Sequence, residues 1–444
     1  MRTLVVGHGG RESALALRMA EHSEVHAVVG HENPTILGAV QRSGGSFTLG
    51  DVCDPGTVSA FAREREVDVA MVSADEPLQA GVVDALQAAG VSAVGPTRAG
   101  AEIEWNKTFA RELLAEVAPE AVPRLRIARA RDEVDAAVGS FGDAPVVVKP
   151  SGLTGGKGVK VMGPHLDTHA DARAYARELL ERGDGGTVLV EERIDGPEFT
   201  IQAISDGRTV FFPPSTYDYP YRYDGDEGPG TGGMGSLTMP GAVLPFMTRA
   251  HYEQACSIIE RVIARLGAEG RHFSGVMNSG FFATAEGVKV IEFNARFGDP
   301  ECMNIMTLLD CSWPEVMRAI AAGELGAADV RLRGDASVVL YLVSPDYALR
   351  KGGAYEFALD VDALAARGCE VYFSAAVGAG ERAYRTVGTS RAVALVATAP
   401  TLEAARATVA EAAAGVSVLE WRRDVGDLAY LQRLAHAPLL SNPA

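Results

Sequence analysis

The chain has 444 residues, 47% of them hydrophobic and 22% charged, enough to bury a sizeable core and long enough to divide into about three domains. Its formal net charge of −17 excludes a nucleic-acid binder that works by phosphate neutralisation, and any phosphate must be met by a local site. Cys53, Cys256, Cys302, Cys311 and Cys369 form no CxxC pair, and no apolar run reaches signal-peptide or membrane-span length, so the expectation is a soluble cytoplasmic protein with reduced thiols.

From the N-terminus, short apolar runs alternate with Ala-rich segments: TLVVG, RESALALRMAEH, VHAVVG, TVSAFARERE, VDVAMVS, AGVVDALQAAG and VSAVG. Strand and helix signals in strict alternation predict a parallel α/β domain over residues 1–100. Trp105, Phe109, Leu113 and Leu114 recur at near-helical spacing and predict a hinge helix within 101–123. The runs RLRIA, PVVVK, VKVM and VLVEER around two helical segments predict a small α+β unit over 124–192. Strands FTIQAIS, TVFFP, GVMNSGFFA and VKVIEFN predict a larger mixed unit over 193–326, and SVVLYLVS, EVYFSA, AVALVATA and the helix TLEAARATVAEAAAG predict a mixed C-terminal domain over 327–444.

Several stretches carry chemistry. Gly7-His8-Gly9-Gly10-Arg11-Glu12 follows a strand and opens a helix, where backbone N–H groups and the helix dipole suit a phosphate. Glu12 stands where a dinucleotide fingerprint needs its third glycine, which makes an NAD site the weakest option. Lys149 ends an apolar strand, and the following SGLTGGKG, with Gly155, Gly156 and Lys157, can fold over a ligand's phosphates because glycine admits close approach of backbone amides. It is not a Walker loop, since Gly158-Val159 leads into a strand. Glu191 and Glu192 end another strand, with Glu198 shortly after, offering directional hydrogen bonds to a sugar or base edge. In VIEFNARFGDPE, strand period 2 sets Glu292 and Asn294 on one face as oxygen ligands for Mg2+, with Ile291 and Phe293 toward the core and Arg296 placed to hold phosphate oxygens. His165 and His169 read as a solvated pair, and the alternation Tyr217, Tyr219, Tyr221, Tyr223, set among acids, reads as an ordered loop over a small substrate.

The phosphate loop, the paired-glutamate strand end and the EFN strand, in this order, resemble the ATP-grasp ligases. More closely, VVGHGGRE, VGPTRAGAE, VVVKPSGLTGGKGV, GPGTGGMG, VIEFNARFGDPE and WRRDVGD resemble the phosphoribosylamine–glycine ligase family, from residue 1 to about 427. The resemblance implies an N-terminal amine-binding domain, two ATP-grasp subdomains and a C-terminal domain, acting on ATP with Mg2+ or Mn2+ as a monomer or homodimer. It implies Lys107 and Lys149 at the ATP phosphates beneath the glycine loop, and Glu191, Glu192 and Glu198 by adenine and ribose. It further implies Glu292 and Asn294 on the metal, Arg296, Asp299 and Asp218 as catalytic residues, and Gly9, Gly10, Glu12, Asn33 and Asp75 around the ribosylamine. Partners would be a small amine and an amino acid, without nucleic acid or membrane.

The departures cluster at the acceptor side. The family's SQDHKR becomes STYDYPYRY, keeping Asp218 and leaving Arg222 one position out of register; PGNAG becomes Gly30-His-Glu-Asn-Pro34, GPE becomes Ser73-Ala-Asp75, and GGYPG becomes Ser344-Pro-Asp-Tyr-Ala348. Three readings follow: the family's ligase reaction, a paralogue joining another amine or amino acid, and a nucleotide-binding protein without turnover, against which Lys149, Glu292 and Asn294 speak.

Overall fold

The computed structural model describes residues 1–152, 158–183, 186–350 and 352–436. The N-terminal region runs β1 (Arg2–Val6), α1 (Gly10–Ala20), β2 (Glu24–Val29), α2 (Pro34–Ser43), β3 (Phe47–Leu49), α3 (Pro55–Glu64), β4 (Val69–Val72), α4 (Asp75–Ala80), α5 (Val82–Ala88) and β5 (Ser92–Val94). Its sheet has the order β3-β2-β1-β4-β5, parallel throughout. Leu4, Val5 and Val6 of the central strand are fully buried, as expected of a strand covered on both faces.

The parallel α/β expectation holds with three elements added, α2, β3 and α4. Asn33 caps α2 by accepting from the N–H groups of Thr35 and Ile36, and Pro34 fills the first helical position, a start signal present in the sequence but unread. β3 has only three residues, two of them exposed, too short to show an alternation. The segment AGVVDALQAAG holds α5, and Gly81 at φ 84° separates it from α4, which ends at Ala80.

The expected hinge helix is two helices, α6 (Arg98–Trp105) and α7 (Lys107–Val117). Asn106 breaks them: its backbone leaves the helical region and its side chain accepts the Phe109 N–H, capping the second helix. Next come β6 (Leu125–Ala128), β7 (Val146–Pro150), β8 (Lys160–Val161) and β9 (Val188–Glu192), in an antiparallel sheet of order β6-β9-β7-β8. This sheet has its own core, where Val146, Val148 and Val190 pack with Tyr175 and Leu179 of the helix His169–Arg182.

The remaining strands are β10 (Glu198–Ser205), β11 (Val210–Phe211), β12 (Thr216–Asp218), a ribbon of β13 (Tyr221–Tyr223) and β14 (Glu227–Gly230), then β15 (Gly235–Thr238), β16 (Gly275–Thr284), β17 (Gly287–Asn294), β18 (Ala336–Leu342), β19 (Glu356–Ala358), β20 (Cys369–Phe373), β21 (Ala376–Gly380), β22 (Ala383–Thr386) and β23 (Val393–Ala399). One antiparallel sheet takes the order β17-β16-β10-β12-β15-β18-β23-β20, with β11 beside β10. It therefore continues from the strands before residue 300 into those after 330 across the β15–β18 pair, where Gly235 lies opposite Leu340 and Thr238 opposite Ser337.

Candidate active site

One end of the large sheet holds a cleft of about 120 Å³. Glu198 comes from β10, Asp218 from β12, Asn278 from β16, Glu292 and Asn294 from β17, and Glu301 from the first turn of the helix Glu301–Leu308. Glu292 and Asn294 share a face, the Asn294 amide donating to Glu292 Oε1 at 3.3 Å. Ile291 does not face the core as expected. A β-bulge pairs Gly280 with Glu292 and Phe281 with Val290, so Ile291 is the extra residue and lines the cleft while Val290 takes the buried position.

Oxygen is the only donor type these six side chains aim at a metal, which suits a hard cation such as Mg2+. Asp218 Oδ1 and Asn278 Oδ1 are buried without a hydrogen-bond partner, so the cleft has unused acceptor capacity. Desolvation and Glu301 hold the Asp218 carboxyl well above the usual carboxylate range, and desolvation likewise raises Glu301. Glu198 opens to the cleft, yet desolvation and the neighbouring Glu292 push it up to about 7. Gly233, at φ 98°, closes beneath Asp218; a Cβ there would lie 2.7 Å from Asp218 Oδ1.

Beside the cleft stand the two lysines. Lys107 begins α7 with its N–H on the Ser151 carbonyl and its Nζ donating to the Gly152 carbonyl at 3.0 Å, and burial lowers its pKa. Lys149 Nζ lies 2.8 Å from Glu191. Gly155, Gly156 and Lys157 lie outside the described residues. The Glu191 carboxylate is buried against Arg111, with Nε–Oε1 at 2.6 Å, and against Lys149. These cations hold the carboxyl down at about 2 despite desolvation. Glu192 accepts the Arg124 N–H at 2.7 Å. Arg111, unread in the sequence, also donates to the Ile291 carbonyl at 2.8 Å and so ties β9 to the bulge of β17.

A second cavity, of about 470 Å³, lies between the N-terminal sheet and the C-terminal segment. Gly9, Glu12, Asp75 and Asp299 line it, joined by His8, His31, Ser374 and the loop Val387–Ser390, none of which sequence reasoning assigned to the site. Two expected residues do not line it. Gly10 is buried against Tyr341, whose hydroxyl would be 2.2 Å from a Cβ there. Asn33 is fully buried, its amide donating to the carbonyls of His8 and Phe373 while its oxygen caps α2.

The segment 295–301 joins the two spaces: Asp299 lines the cavity and Glu301 the cleft. Buried contacts fix it from every side. Ser73 Oγ accepts the Phe297 N–H, Gln202 the Gly298 N–H and Glu104 the Ala295 N–H. Glu104 also pairs with Arg296 at 3.2 Å, which in turn reaches Asn294 Oδ1 at 3.2 Å. Tyr341 donates to Asp299 at 2.6 Å, and Arg391 donates to the carbonyls of Asp299, Gly232 and Gly233. Glu104, Tyr341 and Arg391 sit in segments without a motif and gave no signal.

Arg222 stays out of both spaces, buried against Glu420 at 2.5 Å and the Tyr347 carbonyl. The tyrosine alternation is also not a loop over a substrate. Tyr217 and Tyr219 are buried, their rings 4.9 Å apart, and pack with Tyr430.

Residues 1–104 match the phosphoribosylglycinamide synthetase N domain and residues 105–302 the phosphoribosylglycinamide synthetase ATP-grasp (A) domain. A phosphoribosylamine–glycine ligase of Methanothermobacter thermautotrophicus is 38% identical over 429 residues, 96% of each chain. One of Methanoregula boonei is 40% identical over 440 residues, 98% of this chain and 99% of that one. Among solved structures, phosphoribosylamine–glycine ligase from Thermotoga maritima superposes with a TM-score of 0.76 at 23% identity, covering 96% of this chain and 100% of that one. The biotin carboxylase domain of Hydrogenobacter thermophilus 2-oxoglutarate carboxylase, solved with MgADP and bicarbonate, gives 0.70 at 16% identity, covering 98% and 94%. Fold and cleft together define an ATP-grasp protein, a ligase scaffold in which the oxygen-lined cleft sits beside two lysines. The chain belongs to the phosphoribosylglycinamide synthetase family.

Proposed function

We propose that the protein joins phosphoribosylamine to glycine, converting ATP to ADP and phosphate. The observation that carries this reading is the segment 295–301, which turns Asp299 into one space and Glu301 into the other, so an acid activated in the cleft meets an amine held in the cavity. A glycine carboxylate oxygen attacks the γ-phosphorus, and the bond to ADP breaks. The amine nitrogen then attacks the acyl carbon, phosphate leaves and the nitrogen loses a proton, giving the amide of glycinamide ribonucleotide.

Lys107 and Lys149 neutralise the triphosphate, with Glu191 and Arg111 holding Lys149 in place. Glu292 and Asn294 would hold Mg2+, which supplies charge neutralisation for the migrating phosphoryl group. Arg296, steadied by Glu104, faces the acyl phosphate, with Asp218 in the same cleft. Asp299, held by Tyr341 and Arg391, orients the amine. The reading includes a cytoplasmic monomer or homodimer acting on small molecules; no helix among the described residues is long and apolar enough to cross a membrane.

The test is ADP release from Mg2+-ATP, glycine and phosphoribosylamine generated in situ, each omitted in turn, with mass detection of product. Dependence on both substrates and the mass of glycinamide ribonucleotide are expected. ATP binding without that product would reassign the acceptor or the acid.

A further inference from the structure

A phosphorylated amine needs a counter-charge, and the sequence points to the wrong place for it. The turn before α1 suggests a phosphate on the helix N-terminus, but Glu12 occupies that position: its Oε2 accepts the Gly9 N–H at 2.8 Å. Among the described residues lining the cavity, Arg11, His8 and His31 can carry positive charge. Arg11 is committed, its Nε 2.6 Å from Glu12 and its Nη1 on the Phe297 carbonyl.

That leaves the two histidines, whose rings meet edge to face 4.6 Å apart. His8 Nδ1 accepts the Gly30 N–H at 3.1 Å, so Nε2 carries the proton of the neutral ring. His31 Nε2 lies 2.9 Å from the Ser374 carbonyl, which can only accept, so Nε2 donates and Nδ1 is bare. Each ring thus keeps one nitrogen without a hydrogen-bond partner among the described residues. A Cβ on Gly30 would stand 2.8 Å from His8 Cε1, so a glycine is what lets the pair close. Thr389 and Ser390, on the same cavity wall, add hydroxyl donors.

We propose that His8 and His31 form the anion-recognising corner of the amine cavity and select a phosphorylated substrate over its unphosphorylated counterpart. This rests on the ligase reading above and names its specificity determinant. The acids facing the pair are Glu12 of α1, Asp75 and Glu76 at the start of α4, and Asp299; Glu32 is the exposed neighbour of His31, and the far wall, Ser374, Ala375, Val387, Gly388, Thr389 and Ser390, has no ionisable side chain, Arg385 standing in the adjoining groove behind Val387 and Thr389. Glu12 is paired with Arg11 and Asp299 with Arg391. Burial, and then His8, lower the pKa of His31, so an empty cavity favours the neutral ring and a bound phosphate the imidazolium.

The probes are ribose 5-phosphate, ribose and inorganic phosphate, titrated calorimetrically and by the histidine ring resonances of the whole protein. Ribose 5-phosphate should bind at least about tenfold more tightly than ribose, weaken as pH rises from about 6 to about 8, and move the ring resonances of both histidines. His8→Gln with His31→Gln should cost about tenfold in ribose 5-phosphate affinity, remove that pH dependence and raise KM for the amine alone, leaving KM for ATP unchanged. Unmoved ring resonances, or a double variant with wild-type affinity and pH profile, would overturn the proposal. If the rings respond to ribose 5-phosphate but no glycinamide ribonucleotide forms, the histidine corner stands and the assigned reaction falls.

Discussion

The cleft draws Glu198, Asp218, Glu292 and Asn294 from strands of one sheet, whereas the cavity draws Gly9, His31, Asp299 and Ser390 from connecting segments scattered along the chain, and Asp75 from the start of a short helix. Strands hold their side chains through a continuous hydrogen-bond ladder, so the cleft's donors are set before any ligand arrives. Turns depend on neighbours such as Arg391 and Asn33, and can be re-lined without disturbing the sheet. The difference teaches where this chain tolerates change: its substituted loops fall around the cavity and the C-terminal segment and reach the cleft only at Pro220, while the strand bearing Glu292 and Asn294 stands intact.

If the cleft is the seat of phosphoryl transfer, Glu292→Ala with Asn294→Ala should cut ADP formation by about a thousandfold or more, with ribose 5-phosphate binding at the cavity unchanged. Appreciable ADP release from that variant would erase the distinction. Arg111→Met should next destabilise the fold by about 3–5 kcal/mol in denaturant titrations, because Glu191 would stay buried with Lys149 alone. The same triad gives an acid signature. Glu191 sits at about 2 against an ordinary 4.5, so its stabilisation is complete above that ordinary value and is lost as pH falls through about 2. Stability of the wild type should therefore decline over that interval, and Glu191→Gln should flatten the slope.

On the cavity side, Tyr341→Phe removes the hydroxyl donated to Asp299 and should raise KM for the amine by about tenfold while sparing KM for ATP. A matching rise for ATP would mean that the two spaces do not act separately. The smallest effect on stability should come from Asp218→Asn. A carboxyl raised above its ordinary value destabilises the fold increasingly as pH climbs, so the neutral variant should melt roughly 1 °C higher at neutral pH, the shift expected for about 1 kcal/mol in a chain of this length, while losing activity.

The same contrast governs what could be read in advance. Period-2 alternation put Glu292 and Asn294 on one face from the sequence, but the bulge at Ile291 depends on pairing with Gly280, which no local pattern reports. Glu191 has the residue type of a ligand contact; only the approach of Arg111 from α7 shows that it is a buried counter-ion. The parallel N-terminal domain was legible because its strands are continuous apolar runs, and β3 was missed because three half-exposed residues carry no period. Arg391, Tyr341 and the wall Val387–Ser390 reach the site only through the fold of the C-terminal segment, a long-range fact.

The seam between β15 and β18 has a consequence for any attempt to divide the molecule. A fragment stopping near residue 330 would strip β15 of the partner that pairs it from Gly235 to Thr238, leaving a row of unpaired backbone N–H and C=O groups in the middle of what is now an unbroken sheet. It would also lose Arg391, the clasp on Gly233 and Asp299. Two separately produced halves would each have to carry an adhesive border until they met, so the catalytic machinery is inherited, expressed and lost as one piece.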